Sequence, residues 1–72
     1  MGTTLKQVNH ALAVEGKPER LVRGKGYFYF TGGTAAQWHQ SGVYVYRLGE
    51  LTVIEWLRER DRLESDWQRS RS

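Results

Sequence analysis

Seventy-two residues with a formal net charge of +3 form at most one small domain. The absence of cysteine excludes disulfides and thiolate chemistry and fits a reducing, cytoplasmic setting. No run approaches the roughly 20 apolar residues of a membrane span, the first residues lack a signal-peptide pattern, and His10 and His39 have no second ligand at metal spacing. No membrane association, metal or small-molecule cofactor is therefore expected.

Charge is distributed unevenly. Residues 1–49 carry six basic and two acidic side chains, whereas residues 50–72 carry five basic and six acidic. Between Gly26 and Tyr46 there is no Lys, Arg, Asp or Glu, yet this stretch holds seven of the nine aromatic residues.

The first element is a helix over "TLKQVNHALAVEG". Thr4 with Gln7 three residues later forms a capping box, and Leu5, Val8 and Leu12 share one side. Gly16 is a left-handed stop, and Pro18 prevents continuation. "ERLVR" is a short strand, "GKG" a tight turn, and "YFYFT" a second strand whose aromatic residues suit a pleated surface. "GGTAAQWHQSG" is a glycine-bounded connection with one helical turn from Thr34 to His39. "VYVYRL" alternates cleanly and reads as the third strand.

The last helix covers "LTVIEWLRERDRLESDW", with Thr52 and Glu55 as a second capping box. Val53, Ile54, Leu57, Leu63 and Trp67 form a broad apolar side with Trp56 at its edge. Leu63 and Trp67 are either core or left bare, according to whether the helix outruns the sheet. Arg60–Glu64 and Arg62–Asp66 lie one turn apart and support a solvated face. The expected organisation is a single domain over residues 1–66 with a frayed tail over 67–72. Its fold class is α+β, in the order α-β-β-(turn)-β-α. A three-stranded, mostly antiparallel sheet is packed on one face by two helices.

The period of two along a strand divides the aromatics. Phe28, Phe30, Val43 and Val45 point to the helices, while Tyr27, Tyr29, Tyr44 and Tyr46 gather on the other face, with their hydroxyls in water. These tyrosines, with Arg23, Lys25 and Trp38, are the expected binding residues. A bland alternative is a solvated sheet face whose cross-strand aromatic pairs stabilise by about 0.2–1 kcal/mol each.

The best basic set is Lys17, Arg20, Arg23 and Lys25, diluted by Glu15 and Glu19. His39 beside Trp38 lacks a serine–acid constellation, and no catalytic residue is expected. A protein partner or a homodimer is the favoured reading, because contiguous exposed aromatics mark interaction sites and the uncharged stretch offers no phosphate-neutralising groups. Edge-strand pairing is the obvious route to self-association. Binding of single-stranded nucleic acid through Arg23, Lys25 and the outward tyrosines is the alternative.

Three resemblances bear on this. "RGKGYFYF" resembles the octamer of the RNA-recognition motif at Arg23, Gly24, Gly26, Tyr27 and Phe30. It departs from that octamer at Lys25 and Phe28, and the chain lacks the strand–helix–strand run that precedes it there. "VEGKPERLVRGKGYFYF" and "GELTVIEWLRE" resemble pieces of HicA-type toxins, whose α-β-β-β-α order is also that of double-stranded-RNA-binding domains. The toxin's histidine has no counterpart in Gly26, Tyr27, Phe28 or Tyr29, so this resemblance implies the fold without ribonuclease activity. The pair "GYFYF…VYVYRL" followed by a capped helix is similar to short uncharacterised proteins of bacteriophages and bacterial mobile elements. That likeness implies a phage or mobile-element origin and carries no activity with it.

Overall fold

Local hydrogen bonding sets both ends of the first helix. The structure, a computed structural model, describes residues 2–45 and 47–71. Helix α1 spans Leu5–Val14. The Gln7 N–H donates to Thr4 Oγ1 and the Thr4 N–H to Gln7 Oε1, both at 3.1 Å, so the expected capping box is formed. At the other end Gly16 takes φ 74°. The Lys17 N–H reaches back to Leu12 O at 2.9 Å and the Gly16 N–H to Ala13 O at 3.0 Å, the paired bonds of a Schellman stop.

Strands β1 (Arg20–Arg23), β2 (Phe28–Thr31) and β3 (Gly42–Val43) form an antiparallel sheet in that spatial order. Leu21 stands opposite Phe30, Arg23 opposite Phe28, and Phe28 opposite Val43. Short 3-10 turns at Ala35–Gln37 and Leu48–Glu50 lie before and after β3, and helix α2 (Val53–Arg71) ends the chain. The architecture is thus α+β in the order α-β-β-β-α, as the sequence pattern indicates.

β3 is shorter than the alternating "VYVYRL" suggests. Continuing the register, Tyr44 and Val45 would need partners at Tyr27 and Gly26. The β2 chain has already turned there, with Gly26 at φ 82° and the Gly24 N–H bonded to Tyr27 O at 2.8 Å. The side chains keep alternating without a ladder: Val43 is buried, Tyr44 exposed, and Val45 packs partly buried against the core.

One cluster forms the core. Val8 and Leu12 of α1, Leu21, Phe28, Phe30 and Val43 of the sheet, and Trp56, Leu63 and Trp67 of α2 meet between the helices and one sheet face. Trp56 is the centre of this cluster and not its edge. It is 0% exposed, its ring meets Phe28 edge-on at 5.5 Å, and its indole N–H donates to Leu48 O at 3.0 Å. Ile54 takes the exposed side of the first turn instead. The Thr3 hydroxyl donates to Leu51 O at 2.8 Å and ties the starts of the two helices together.

The expected frayed tail from residue 67 is corrected by the helix itself, which continues to Arg71 with Trp67 buried in the core. The connection after β2 reaches the same end of α2, where a ring nitrogen of His39 hydrogen-bonds Ser70 Oγ. None of the described helices is long and apolar enough to cross a membrane.

Candidate functional site

Strand register assigns the two faces of the sheet. Leu21, Phe28, Phe30 and Val43 point into the core, so Val22, Tyr29 and Gly42, mutually opposite across the three strands, point outward. Arg20 and Thr31 form the next outward pair. The expected tyrosine cluster is present: Tyr27 lies 5.8 Å from Tyr29 and 5.5 Å from Tyr44, ring centre to ring centre, with interplanar angles of 38° and 30°. Tyr27 and Tyr29 are half-buried, and Tyr44 is 73% exposed. Tyr46, expected on the same face, lies outside the described residues.

Two glycines support this surface. A Cβ at Gly24 would stand 2.7 to 3.0 Å from Tyr27 ring atoms, so the ring rests directly on the Gly24 backbone. A Cβ at Gly42 would stand 3.4 to 3.6 Å from the hydroxyl end of Tyr44, which folds back over that glycine. Glycine at these points lets an aromatic ring lie close against the strand and shield its backbone from water.

Two expected site residues belong elsewhere. Trp38 is buried, its indole N–H bonded to Thr34 Oγ1 at 3.0 Å and its ring 6.1 Å from Phe30. The connection folds under the sheet and carries Trp38 into the core. Arg23 shares its face with Phe28, the residue directly opposite, and its guanidinium lies 5.0 Å over that ring. It therefore sits on the helix side and not beside the tyrosines. Lys25 stays exposed at the hairpin turn.

The outward cation on β1 is Arg20, whose Nη1 also donates to Lys17 O and Glu19 O, each at 2.7 Å. Its parity with Val22 and against Leu21 was the available signal. Arg20, Val22, Tyr27, Tyr29, Thr31, Gly42 and Tyr44 include no acidic residue, and the acids from Glu50 to Asp66 all lie after β3, most of them on α2.

Both outer edges of the sheet are occupied from within the chain. On β1, the Leu21 N–H donates to Asn9 Oδ1 at 2.7 Å and Asn9 Nδ2 donates to Leu21 O at 3.1 Å. A side chain of α1 thus occupies the place of a fourth strand. On β3, the Phe30 N–H bonds Ser41 O at 2.9 Å. The alternation of an antiparallel ladder therefore turns Gly42's own groups outward, and Gln40 Nε2 donates to Gly42 O at 3.0 Å. The two amides take three outward bonding groups, both of Leu21 and the carbonyl of Gly42, and so hinder strand pairing at either edge.

Glu19 and Arg60 are where sequence reasoning missed the structure most. Instead of diluting a surface patch, Glu19 is buried, and Arg60 lies beneath the connection instead of on a solvated helix face. Arg60 Nε donates to Glu19 Oε1 at 2.8 Å, and its other nitrogens reach Asp61 at 2.7 Å and Glu64 at 3.1 Å. Burial pulls the Arg60 pKa down, but the hydrogen bonds to Asp61, Glu19 and Glu64 outweigh this and hold it above its ordinary value. Arg62 and Asp66 behave as expected, paired at 3.6 Å in solvent.

Among the described residues no group of three or more His, Cys, Asp or Glu is placed to hold a metal ion. Ser70, the partner of His39, also bonds Asp66 O at 3.1 Å and Trp67 O at 3.2 Å, which locks its hydroxyl onto the helix backbone. Comparison with family models, with curated proteins and with solved structures finds no match for this chain.

Proposed function

We propose that this chain is a small, non-catalytic binding protein whose working surface is the outer face of its sheet. The supporting observation is the contiguous cluster of Tyr27, Tyr29 and Tyr44, with Tyr44 73% exposed, on a face that carries no acidic side chain. Exposed aromatic surface is unfavourable in water and is a common mark of an interaction site. Tyrosine suits this role because a large rigid ring and a hydroxyl are presented with little side-chain entropy to lose.

The face, and not an edge, is the route of association. Asn9 already bonds both outward groups of Leu21 and Gln40 the carbonyl of Gly42, so a partner strand would have to displace them. A flat macromolecular surface is the kind of occupant this face accepts, a protein surface among them. The absence of cysteine supports a reducing, cytoplasmic setting.

The test is affinity capture from the native host with the wild-type chain and with Tyr44→Ala, with and without nuclease. Each captured component is then purified and titrated against both chains. The expected result is a component that binds the wild type directly and is lost with Tyr44→Ala while the variant melts like the wild type. Identical capture by the two folded chains overturns the proposal.

A further inference from the structure

Resting on the reading of the outer face as the working surface, we infer that its occupant is single-stranded nucleic acid. Its bases stack on the tyrosines and its phosphates lie against Arg20 and Lys25. Four observations lead there.

First, the usual ways of holding a peptide are closed. Strand addition needs a free edge, and Asn9 and Gln40 hold a central bonding position on each edge, at Leu21 and at the Gly42 carbonyl. Helix and polyproline recognition need a groove, and no pocket opens in the described surface. What remains is a surface for something flat. Every nucleobase is flat and has a π-face, and stacking on aromatic side chains is how proteins hold single strands without sequence preference.

Second, the rings are placed to stack. Tyr27 rests on Gly24, the hydroxyl end of Tyr44 lies over Gly42, and Tyr44 keeps most of its surface in solvent. The tilts of 30° and 38° keep neighbouring rings nearer to parallel than to edge-to-face.

Third, the charges suit a polyanion. Arg20 projects from the outer face at one end of β1, and Lys25 stands exposed at the hairpin beyond the other end. No acid lies among the outward positions between them. A second copy docked face to face would bring Arg20 and Lys25 against their own likes.

Fourth, the dimensions fit. At about 3.3 Å per strand residue, the Cα atoms of Arg20 and Lys25 stand at most about 17 Å apart. That leaves room for about two or three bases between two phosphate contacts, the number that an aromatic sheet platform stacks. A duplex hides its base faces within the stack and so fits this surface poorly.

Titration of fluorescently labelled single-stranded RNA and DNA oligonucleotides, and of the matching duplexes, tests the inference by anisotropy across a salt series. Saturable binding that prefers single strands is expected. Two phosphate contacts on a single strand give a log–log salt slope of about −1.4, and Lys25→Gln reduces its magnitude by about 0.7. Tyr44→Ala and Tyr29→Ala weaken binding by about five- to 150-fold at unchanged salt slope. Preference between RNA and DNA identifies the natural strand.

No saturable binding at low salt, or binding that Tyr44→Ala leaves unchanged, overturns the inference. Suppose the oligonucleotides fail while a purified protein binds the wild type and not Tyr44→Ala. The nucleic-acid occupant then falls and the working face stands. If Tyr44→Ala changes neither, both fall.

Discussion

Glu19 and Arg60, 41 positions apart in sequence, form an ion pair at 2.8 Å with side chains 1% and 5% exposed. Glu19 precedes β1, and its second oxygen accepts the Thr34 N–H at 3.3 Å. Arg60 comes from the middle of α2 and lies 5.8 Å over the Trp38 ring. One carboxylate therefore joins the start of the sheet, the connection after β2 and the last helix. No buried side-chain nitrogen or oxygen is left without a partner among the described residues, so the charges are removed from water with their hydrogen bonds satisfied.

Removing one member of this pair leaves the other charged and buried. Glu19→Gln and Arg60→Met are each expected to destabilise by about 3–5 kcal/mol. A domain of this size holds only about 5 kcal/mol in reserve, so each variant should retain about 2 kcal/mol or less and melt at far lower urea than the wild type. Replacing both together with apolar residues of similar volume should recover most of the loss. Urea melts of the two single variants and the double variant measure the coupling. Simple additivity would show that the pair is not the buried unit described here.

The division of the aromatic run gives a second expectation. Phe28 and Phe30 are buried in the core, and truncating either to alanine should cost about 3–5 kcal/mol, most or all of the chain's stability. Tyr44→Ala removes an exposed ring and should stay within about 0.5 kcal/mol of the wild type, the usual range for a surface change. Tyr27→Ala and Tyr29→Ala fall between, because their rings pack on each other. Thermal melts rank the five variants. A Tyr44→Ala chain less stable than Phe30→Ala would contradict the assignment of faces.

How much of this could be read beforehand depended on the range of the interaction. The capping boxes at Thr4–Gln7 and Thr52–Glu55 and the stop at Gly16 are local, and their residue types state them directly. The parting of Phe28 and Phe30 from Tyr27 and Tyr29 follows from a period of two, and the tyrosine cluster with it. Arg20 and Arg23 were harder, because their faces depend on anchoring β1 at Leu21, which the short strand states only once. Trp56 and Ile54 both suit a helix start, and only the position of the sheet decides which is buried. Trp38, Glu19 and Arg60 could not be read locally at all. A tryptophan in a glycine-bounded loop and two charged residues look like surface until the chain closes over them.

Gly33 owes its identity to the same buried carboxylate. It takes φ 55°, and a Cβ there would overlap Glu19 Oε2 and stand 2.8 Å from Pro18 Cγ. Gly16 also has positive φ, at 74°, but a Cβ there meets nothing within 4 Å. Gly16→Ala should therefore show only the left-handed backbone penalty, about 1–2 kcal/mol. Gly33→Ala should show that penalty plus displacement of Glu19 from Arg60, and so a clearly larger loss. Equal losses in parallel urea melts would mean that the Glu19 side chain moves aside freely.

The closed edges lead to the last expectation. Asn9 satisfies both outward groups of Leu21 with a single amide, whose NH2 and carbonyl present a donor and an acceptor on separate atoms side by side. Asn9→Leu keeps the branched shape and removes both bonds, which leaves one N–H and one carbonyl on β1 to water or to another chain. Stability should fall by about 1–3 kcal/mol through the groups left unpaired. More tellingly, the freed edge becomes a template for strand addition, so the variant should self-associate where the wild type does not. Sedimentation velocity over a range of concentrations distinguishes the two effects, since loss of stability alone does not increase the mass of the folded species. Tyr44→Ala in the Asn9→Leu background should leave the association intact, because pairing at the β1 edge does not use the tyrosine face. If the Asn9→Leu chain sediments like the wild type at every concentration, the amide is a fold-stabilising contact and not a guard of the edge.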